Sequence, residues 1–160
     1  MASEQNTATV TTPNDREIRV ERIFDAPRDL VFATMTDPEL VGEWYGPHGT
    51  KTEVEVMEPR SGGLWRYHSE DSDGNKTSFR GVYREVTAPE RLVQTWEWEG
   101  MPGYICLETG VFEDLGEQTR FVGTTLFFTN EERDGLLSSG MEGGMNETFE
   151  RLDALLESRK

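Results

Sequence analysis

From Ser139 to Lys160 the chain reads SGMEGGMNETFERLDALLESRK, and Met141, Met145, Phe149, Leu152 and Leu156 recur at steps of four, four, three and four. That spacing sets one apolar stripe along an α-helix. Thr148 and Leu155 widen it, while Glu142, Glu147, Glu150, Arg151, Asp153 and Glu157 lie opposite, with Glu147 and Arg151 placed for an i,i+4 pair. A helix of this kind needs a surface to cover. The middle of the chain supplies strands, so the expected arrangement is a sheet wrapped around this helix, with any site between the two.

The segments before it alternate in the way strands do. Glu17 to Phe24 puts Ile18, Val20 and Phe24 on one side, and Asp25-Ala26-Pro27 then opens a short helix with a capping carboxylate and a first-turn proline. A second short helix starts in Thr36-Asp37-Pro38-Glu39, capped either by Asp37 or by a Thr36/Glu39 box, and carries Leu40, Val41, Trp44 and Tyr45. From Lys51 the period changes to two. Strands are expected at 52–57, 64–69, 76–86, 92–98, 104–112 and 118–128, separated by Gly, Pro, Asp and Asn turns. Thr129 with Glu132, and Ser139 with Glu142, mark two further helix starts. Gly140, Gly143 and Gly144 mark either a break or a close approach of helix and sheet. Residues 1 to about 15 are Thr-rich and aperiodic and read as a loose tail, leaving 16–160 as a single domain. The fold class is α+β: an antiparallel sheet of about six to seven strands curled around a long terminal helix, with two short helices after the first strand.

Charge narrows the partners. Acidic residues outnumber basic ones 31 to 16, a net −15, which disfavours nucleic acid and anionic membrane surfaces. Cys106 is the single cysteine, so disulfides within the chain and zinc sites built on cysteine pairs are excluded. The first fifteen residues have neither the basic nor the apolar region of a signal peptide, and no apolar run reaches a membrane span, so a soluble cytoplasmic protein is expected.

Several motifs resemble one family. Arg22-Ile-Phe-Asp-Ala-Pro-Arg-Asp-Leu-Val-Phe32, Thr36-Asp-Pro-Glu39 and Trp44-Tyr-Gly-Pro47 are similar to the opening signature of the START-like (SRPBCC) superfamily. Within it they are most similar to the branch akin to the activator of the ninety-kilodalton heat-shock chaperone ATPase. Gly62-Gly-Leu-Trp-Arg66, Asp73-Gly74, Gly81-Val-Tyr-Arg-Glu-Val86, Pro89-Glu-Arg-Leu-Val93 and Thr95-Trp96 continue the pattern. The resemblance covers about residues 17 to 158. It implies a helix-grip fold with an apolar cavity between sheet and terminal helix, and it leaves the ligand open, since the fold hosts binders, cyclases and regulators. Gly144-Met145 stands where many relatives carry Gly-Trp, which implies a reshaped cavity.

The candidate cavity lining is Trp44, Trp65, Tyr67, Phe79, Tyr83, Trp96 and Trp98, faced by Met145 and Phe149 on the helix, with His48 as a polar anchor at the mouth. The same rings would otherwise fill a solid core. His68 falls opposite Trp65 and Tyr67, on the solvent face, and Arg66, Arg80, Arg84 and Arg120 read as partners of the many glutamates there. No catalytic constellation, metal site or cofactor motif emerges: Asp71-x-Asp73-x-Asn75 has Lys76 where a calcium loop needs glycine, Ser61-Gly62-Gly63 is not a phosphate loop, and Cys106 reads as structural. The leading expectation is therefore a domain that binds a small apolar or aromatic molecule. A cyclase- or lyase-like enzyme of polyketide type is the alternative, requiring Gln94, Glu108, His48 or Tyr83 to face the cavity. A chaperone-cofactor-like interaction module and a homodimer follow from the resemblance alone.

Overall fold

Alternation along Glu17–Phe24 buries Ile18, Val20, Arg22 and Phe24 on one side, and this strand anchors the sheet to the terminal helix. The computed structural model describes residues 7–160. In chain order these form β1 (Thr9–Thr11), β2 (Glu17–Phe24), α1 (Arg28–Met35), α2 (Val41–Trp44), β3 (Lys51–Met57), β4 (Leu64–Glu70), β5 (Lys76–Thr87), β6 (Arg91–Trp98), β7 (Ile105–Asp114), β8 (Thr119–Leu126), α3 (Asn130–Ser138) and α4 (Met141–Ser158). All strands join one sheet in the order β1-β2-β8-β7-β6-β5-β4-β3, every neighbouring pair antiparallel. The sheet is unclosed, and its register shifts at Val54/Val56 and at Tyr83/Glu85, where bulges add local twist. It curves around α4. This is the helix-grip arrangement, α+β as expected, with eight strands in place of six to seven.

The extra strand corrects the reading of the tail. Thr9–Thr11 pairs with β2 through Thr9↔Glu21, Val10↔Val20 and Thr11↔Arg19. The buried Ala8 donates its N–H to Asn146 Oδ1 of α4 at 3.1 Å. Three residues show no periodicity of their own; the partners that order them are distant in sequence. Residues 1–6 of the expected tail lie outside the described residues.

Helix starts follow the capping chemistry in part. Thr129 accepts a hydrogen bond from the Glu132 N–H, capping α3 as expected. Asp25 does not cap α1, whose first turn begins after Pro27 with no side-chain cap. Asp37 Oδ1 accepts from the Glu39 N–H at 2.9 Å in the turn before α2, but α2 itself starts later, at Val41, with Leu40 before it and no side-chain cap from Asp37 or Thr36. Nor does Ser139 start α4. Gly140 does, at φ +82°, a left-handed conformation that breaks α3 from α4 and that glycine adopts without strain.

The stripe on α4 divides along its length. Leu152 and Leu156 are fully buried in a solid core with α1 and the Phe24, Phe112, Phe121 and Phe149 rings, which meet edge-on or tilted. Arg22 is buried against the same rings, its guanidinium 4.7 Å from the Phe24 centroid, and pairs with Asp153 on α4. Glu147 and Arg151 do not pair with each other. Arg151 donates to the carbonyls of Glu43, Tyr45, Gly46 and Pro47, and Glu147 accepts from the His48 N–H at 3.0 Å. Together they clamp the α2–β3 loop onto the helix, where a Cβ on Gly144 would lie 3.5 Å from the Pro47 ring. No helix among the described residues is long and apolar enough to cross a membrane.

Candidate functional site

Above the solid core, the N-terminal half of α4 stands away from the sheet and encloses a cavity of about 610 Å³. Its sheet side is built in cross-strand rows. Leu92, Gly110 and Gly123 are register partners on β6, β7 and β8 and form the lowest row. Both glycines are hollows in the sheet: a Cβ at Gly123 or Gly110 would come within 2.9 or 3.0 Å of the Phe121 ring. Next come Tyr83, Gln94, Glu108 and Thr125, paired in turn across β5, β6, β7 and β8. Trp96 and Cys106 make the row beyond. Met141, Met145, Thr148 and Phe149 of α4 form the opposite wall. Loop residues Gly46, Pro47 and Thr50, together with Asp71 and Asn75 of the β4–β5 hairpin, complete it.

The expected lining separates into three groups. Trp44, Tyr67, Phe79, Tyr83, Trp96, Met145 and Phe149 all line the cavity. Tyr45, read from sequence only as a helix residue, joins them: the chain turns extended after α2 and swings its ring between Tyr67 and Phe79, with centroids at 4.9 and 6.0 Å. Trp65 and Trp98 lie outside the lining. Trp65 shares a face with Tyr67 but is fully buried behind it, sunk over Gly81, where a Cβ would come within 2.4 Å of the indole nitrogen. Trp98 has the parity of Trp96, yet its strand ends there and its ring folds over Gly100 at the surface. His48 is likewise outside the lining. Its ring is exposed, with Nε2 3.5 Å from Glu150 on the outer side of α4.

Two polar pairs stand among the rings that face the cavity. Gln94 Nε2 donates to Glu108 Oε1 at 3.1 Å, and Trp96 Nε1 donates to the Tyr45 hydroxyl at 3.3 Å. Glu108 is half-buried and turns its accessible surface to the cavity, and this burial pushes its carboxyl up to about 7, partly countered by Gln94. Burial also raises the Tyr45, Tyr67 and Tyr83 phenols, Tyr83 to about 12, and the Cys106 thiol. These hydroxyls remain neutral donors near pH 7, and Cys106, bonded to the Trp96 carbonyl, is no thiolate nucleophile. Among the described residues no cluster of three His, Cys, Asp or Glu side chains is placed to hold a metal.

On the convex face Arg66, Arg80, Arg120 and His68 pair with glutamates as the charge pattern suggests, and Arg84 makes no such pair among the described residues. Arg66 bonds Glu99 at 2.7 and 2.8 Å and Glu55 at 3.2 Å, Arg80 bonds Glu97 at 3.0 Å, and His68 lies between Ser78 and Glu55. None of these residues reaches the cavity.

A curved antiparallel sheet gripping one long helix, with a hollow between them, defines a START-like helix-grip protein. Residues 25–157 match the family model described as activator of Hsp90 ATPase homolog 1-like protein, and the chain belongs to that family. No curated protein matches it. Among solved structures it is similar to a Rhodobacter sphaeroides protein at 24% identity, TM-score 0.89, covering 96% of this chain and 99% of that one. An Arthrobacter aurescens protein is 26% identical, TM-score 0.85, with 94% and 91% covered. DynU16, from the dynemicin biosynthetic locus, is 22% identical with TM-score 0.63, covering 92% of this chain and 49% of that one.

Proposed function

We propose that this protein binds a small hydrophobic molecule between the sheet and the N-terminal half of α4. The observation that carries the reading is the cavity of about 610 Å³ itself, walled by the rings of Trp44, Tyr45, Tyr67, Phe79, Tyr83 and Trp96 and crossed by one polar row. Such a ratio of apolar wall to polar anchor is typical of small-molecule sites. A fluorescence titration with N-phenyl-1-naphthylamine, checked by native mass spectrometry, tests it. Saturable binding of one molecule per chain is expected; no binding under any condition overturns the reading.

A second reading, a proton-transfer catalyst of cyclase or lyase type, is favoured by one observation. Glu108 has a proton affinity near neutrality and shares its row with Gln94 and Tyr83 inside the cavity, as general acid–base work requires. The likeness to DynU16 is one of fold and carries no substrate. Deuterium exchange at the α-carbon of 2-tetralone, followed by NMR in D2O, separates the readings: catalysis by the wild type that Glu108→Gln abolishes supports the enzyme, and equal rates remove it.

A further inference from the structure

The cavity has a charge asymmetry that its aromatic wall conceals. Its lining includes two carboxylates, Glu108 and Asp71, and no Lys, Arg or His. Asp71 is already engaged: its oxygens accept from the N–H groups of Asp73 and Asn75 and from the Asn75 side chain, closing the hairpin turn. Glu108 is not. Among the described residues Gln94 is its one hydrogen-bond partner, held on Oε1, which leaves Oε2 for whatever enters. Even a half-buried carboxylate facing an aromatic wall without a cation is costly, and proteins ordinarily pair it.

The surroundings fit a cation. Tyr45, Tyr67, Phe79 and Trp96 form a continuous set of rings, with Phe79 stacked on Trp96 at 5.5 Å. Glu108 is close enough for its charge to raise the Tyr45 and Tyr67 phenols. Ring faces attract ammonium groups, most of all where water is excluded. We propose that the ligand of this cavity is an amine: an apolar, ring-bearing molecule whose protonated nitrogen meets Glu108 Oε2, with its body against the aromatic wall. This rests on the ligand-binding reading above and adds the charge and the contact.

Protonation of the site supplies a test. The titratable groups facing Glu108 are Tyr67 from β4, Tyr83 from β5, Cys106 from β7 itself and Tyr45 from the loop after α2, all held neutral by raised values. The residues that α4 turns to the cavity, Met141, Met145, Thr148 and Phe149, carry no charge. Asp71 is held below the ordinary carboxylate range by its backbone and side-chain bonds to Asn75, so it stays ionised. Between pH 5.5 and 8, then, Glu108 is the cavity group that changes charge.

The experiment compares 2-(1-naphthyl)ethylamine with its isosteres 2-(1-naphthyl)ethanol and 1-naphthaleneacetate by isothermal titration at pH 8 and pH 5.5. An alkylamine stays protonated across this range. The amine is expected to bind at least about tenfold more tightly than the alcohol at pH 8, with the acetate weakest. That preference is expected to fall below about threefold at pH 5.5, where Glu108 is protonated, and in Glu108→Gln at pH 8. The alcohol serves as internal control for any titration outside the cavity, and the pH arm in the wild type needs no variant. An alcohol that binds as well as the amine at pH 8 overturns the inference while leaving the ligand-binding reading intact. So does a preference that survives in Glu108→Gln. Absence of binding by all three compounds overturns both.

Discussion

Arg22 on β2 and Asp153 on α4 meet through two parallel hydrogen bonds, Nη1 to Oδ1 at 2.6 Å and Nη2 to Oδ2 at 2.5 Å, with the arginine side chain fully buried. They are 131 positions apart in sequence and join the sheet to the helix it grips. Breaking a buried pair leaves the other charge uncompensated, which typically costs about 3–5 kcal/mol. Asp153 retains some exposure and can rehydrate. Arg22→Met, which leaves only Asp153, is therefore expected to lose about 1–3 kcal/mol, and Asp153→Ala, which takes the carboxylate from a fully buried guanidinium, about 3–5 kcal/mol in urea unfolding, with the double variant less than additive. Additive losses would show that the two residues act independently.

The two halves of α4 are expected to respond differently to truncation. Leu152→Ala removes a fully buried side chain from the solid core and is expected to cost about 2–5 kcal/mol. Met145→Ala enlarges a space that already exists, and is expected to cost about 1 kcal/mol or less. Chemical denaturation compares them. Equal losses would mean the cavity side is packed as tightly as the core.

Ring substitutions sort by depth. Trp96→Ala removes cavity wall and is expected to weaken N-phenyl-1-naphthylamine binding at least about fivefold, whereas Trp98→Ser and His48→Ala, both outside the lining, are expected to leave it within about twofold. Loss of binding in either outer variant contradicts this placement.

Glu108 is expected to set a pH dependence of stability. Its folded-state value is raised from 4.5 to about 7, so between those values the folded state binds a proton that the unfolded state has released. Stability from this group is fully present below pH 4.5, declines as pH rises through that window, and levels above about pH 7, by a total of about 3 kcal/mol. Other carboxylates titrate in the opposite sense, since Glu55, Glu97 and Glu99 are lowered by their arginine or histidine partners. The quantity to measure is thus the stability of Glu108→Gln minus that of the wild type from pH 4.5 to 8. It is expected to rise with pH; a flat difference would mean Glu108 ionises normally.

Much of this architecture is legible in the residues because burial imposes a period. The α4 stripe and the alternation in β2 and β4 to β8 each need one buried face, and their positions follow from counting. Depth along a strand does not. Trp65, Trp96 and Trp98 all have inward parity, and only register and the neighbouring Gly81 and Gly100 decide which ring sinks, lines or leaves the sheet. Tyr45 is a cavity residue because the backbone leaves α2 extended, which helical spacing hides. Glu108 is visible as a strand carboxylate, but its lack of a cation comes from β6, β7 and β8 pairing in a register that brings only Gln94 and Thr125 beside it. β1 has no signal because its order comes from β2 and Asn146.

Filling the cavity and measuring what is lost decides whether the space between sheet and α4 is a binding site. Thr125→Trp places a large ring in the polar row while leaving the solid core untouched. With the variant's circular dichroism and melting cooperativity matching the wild type, its affinity for N-phenyl-1-naphthylamine is expected to drop at least about tenfold. Unchanged affinity in the filled, folded variant would place the dye elsewhere and contradict the account.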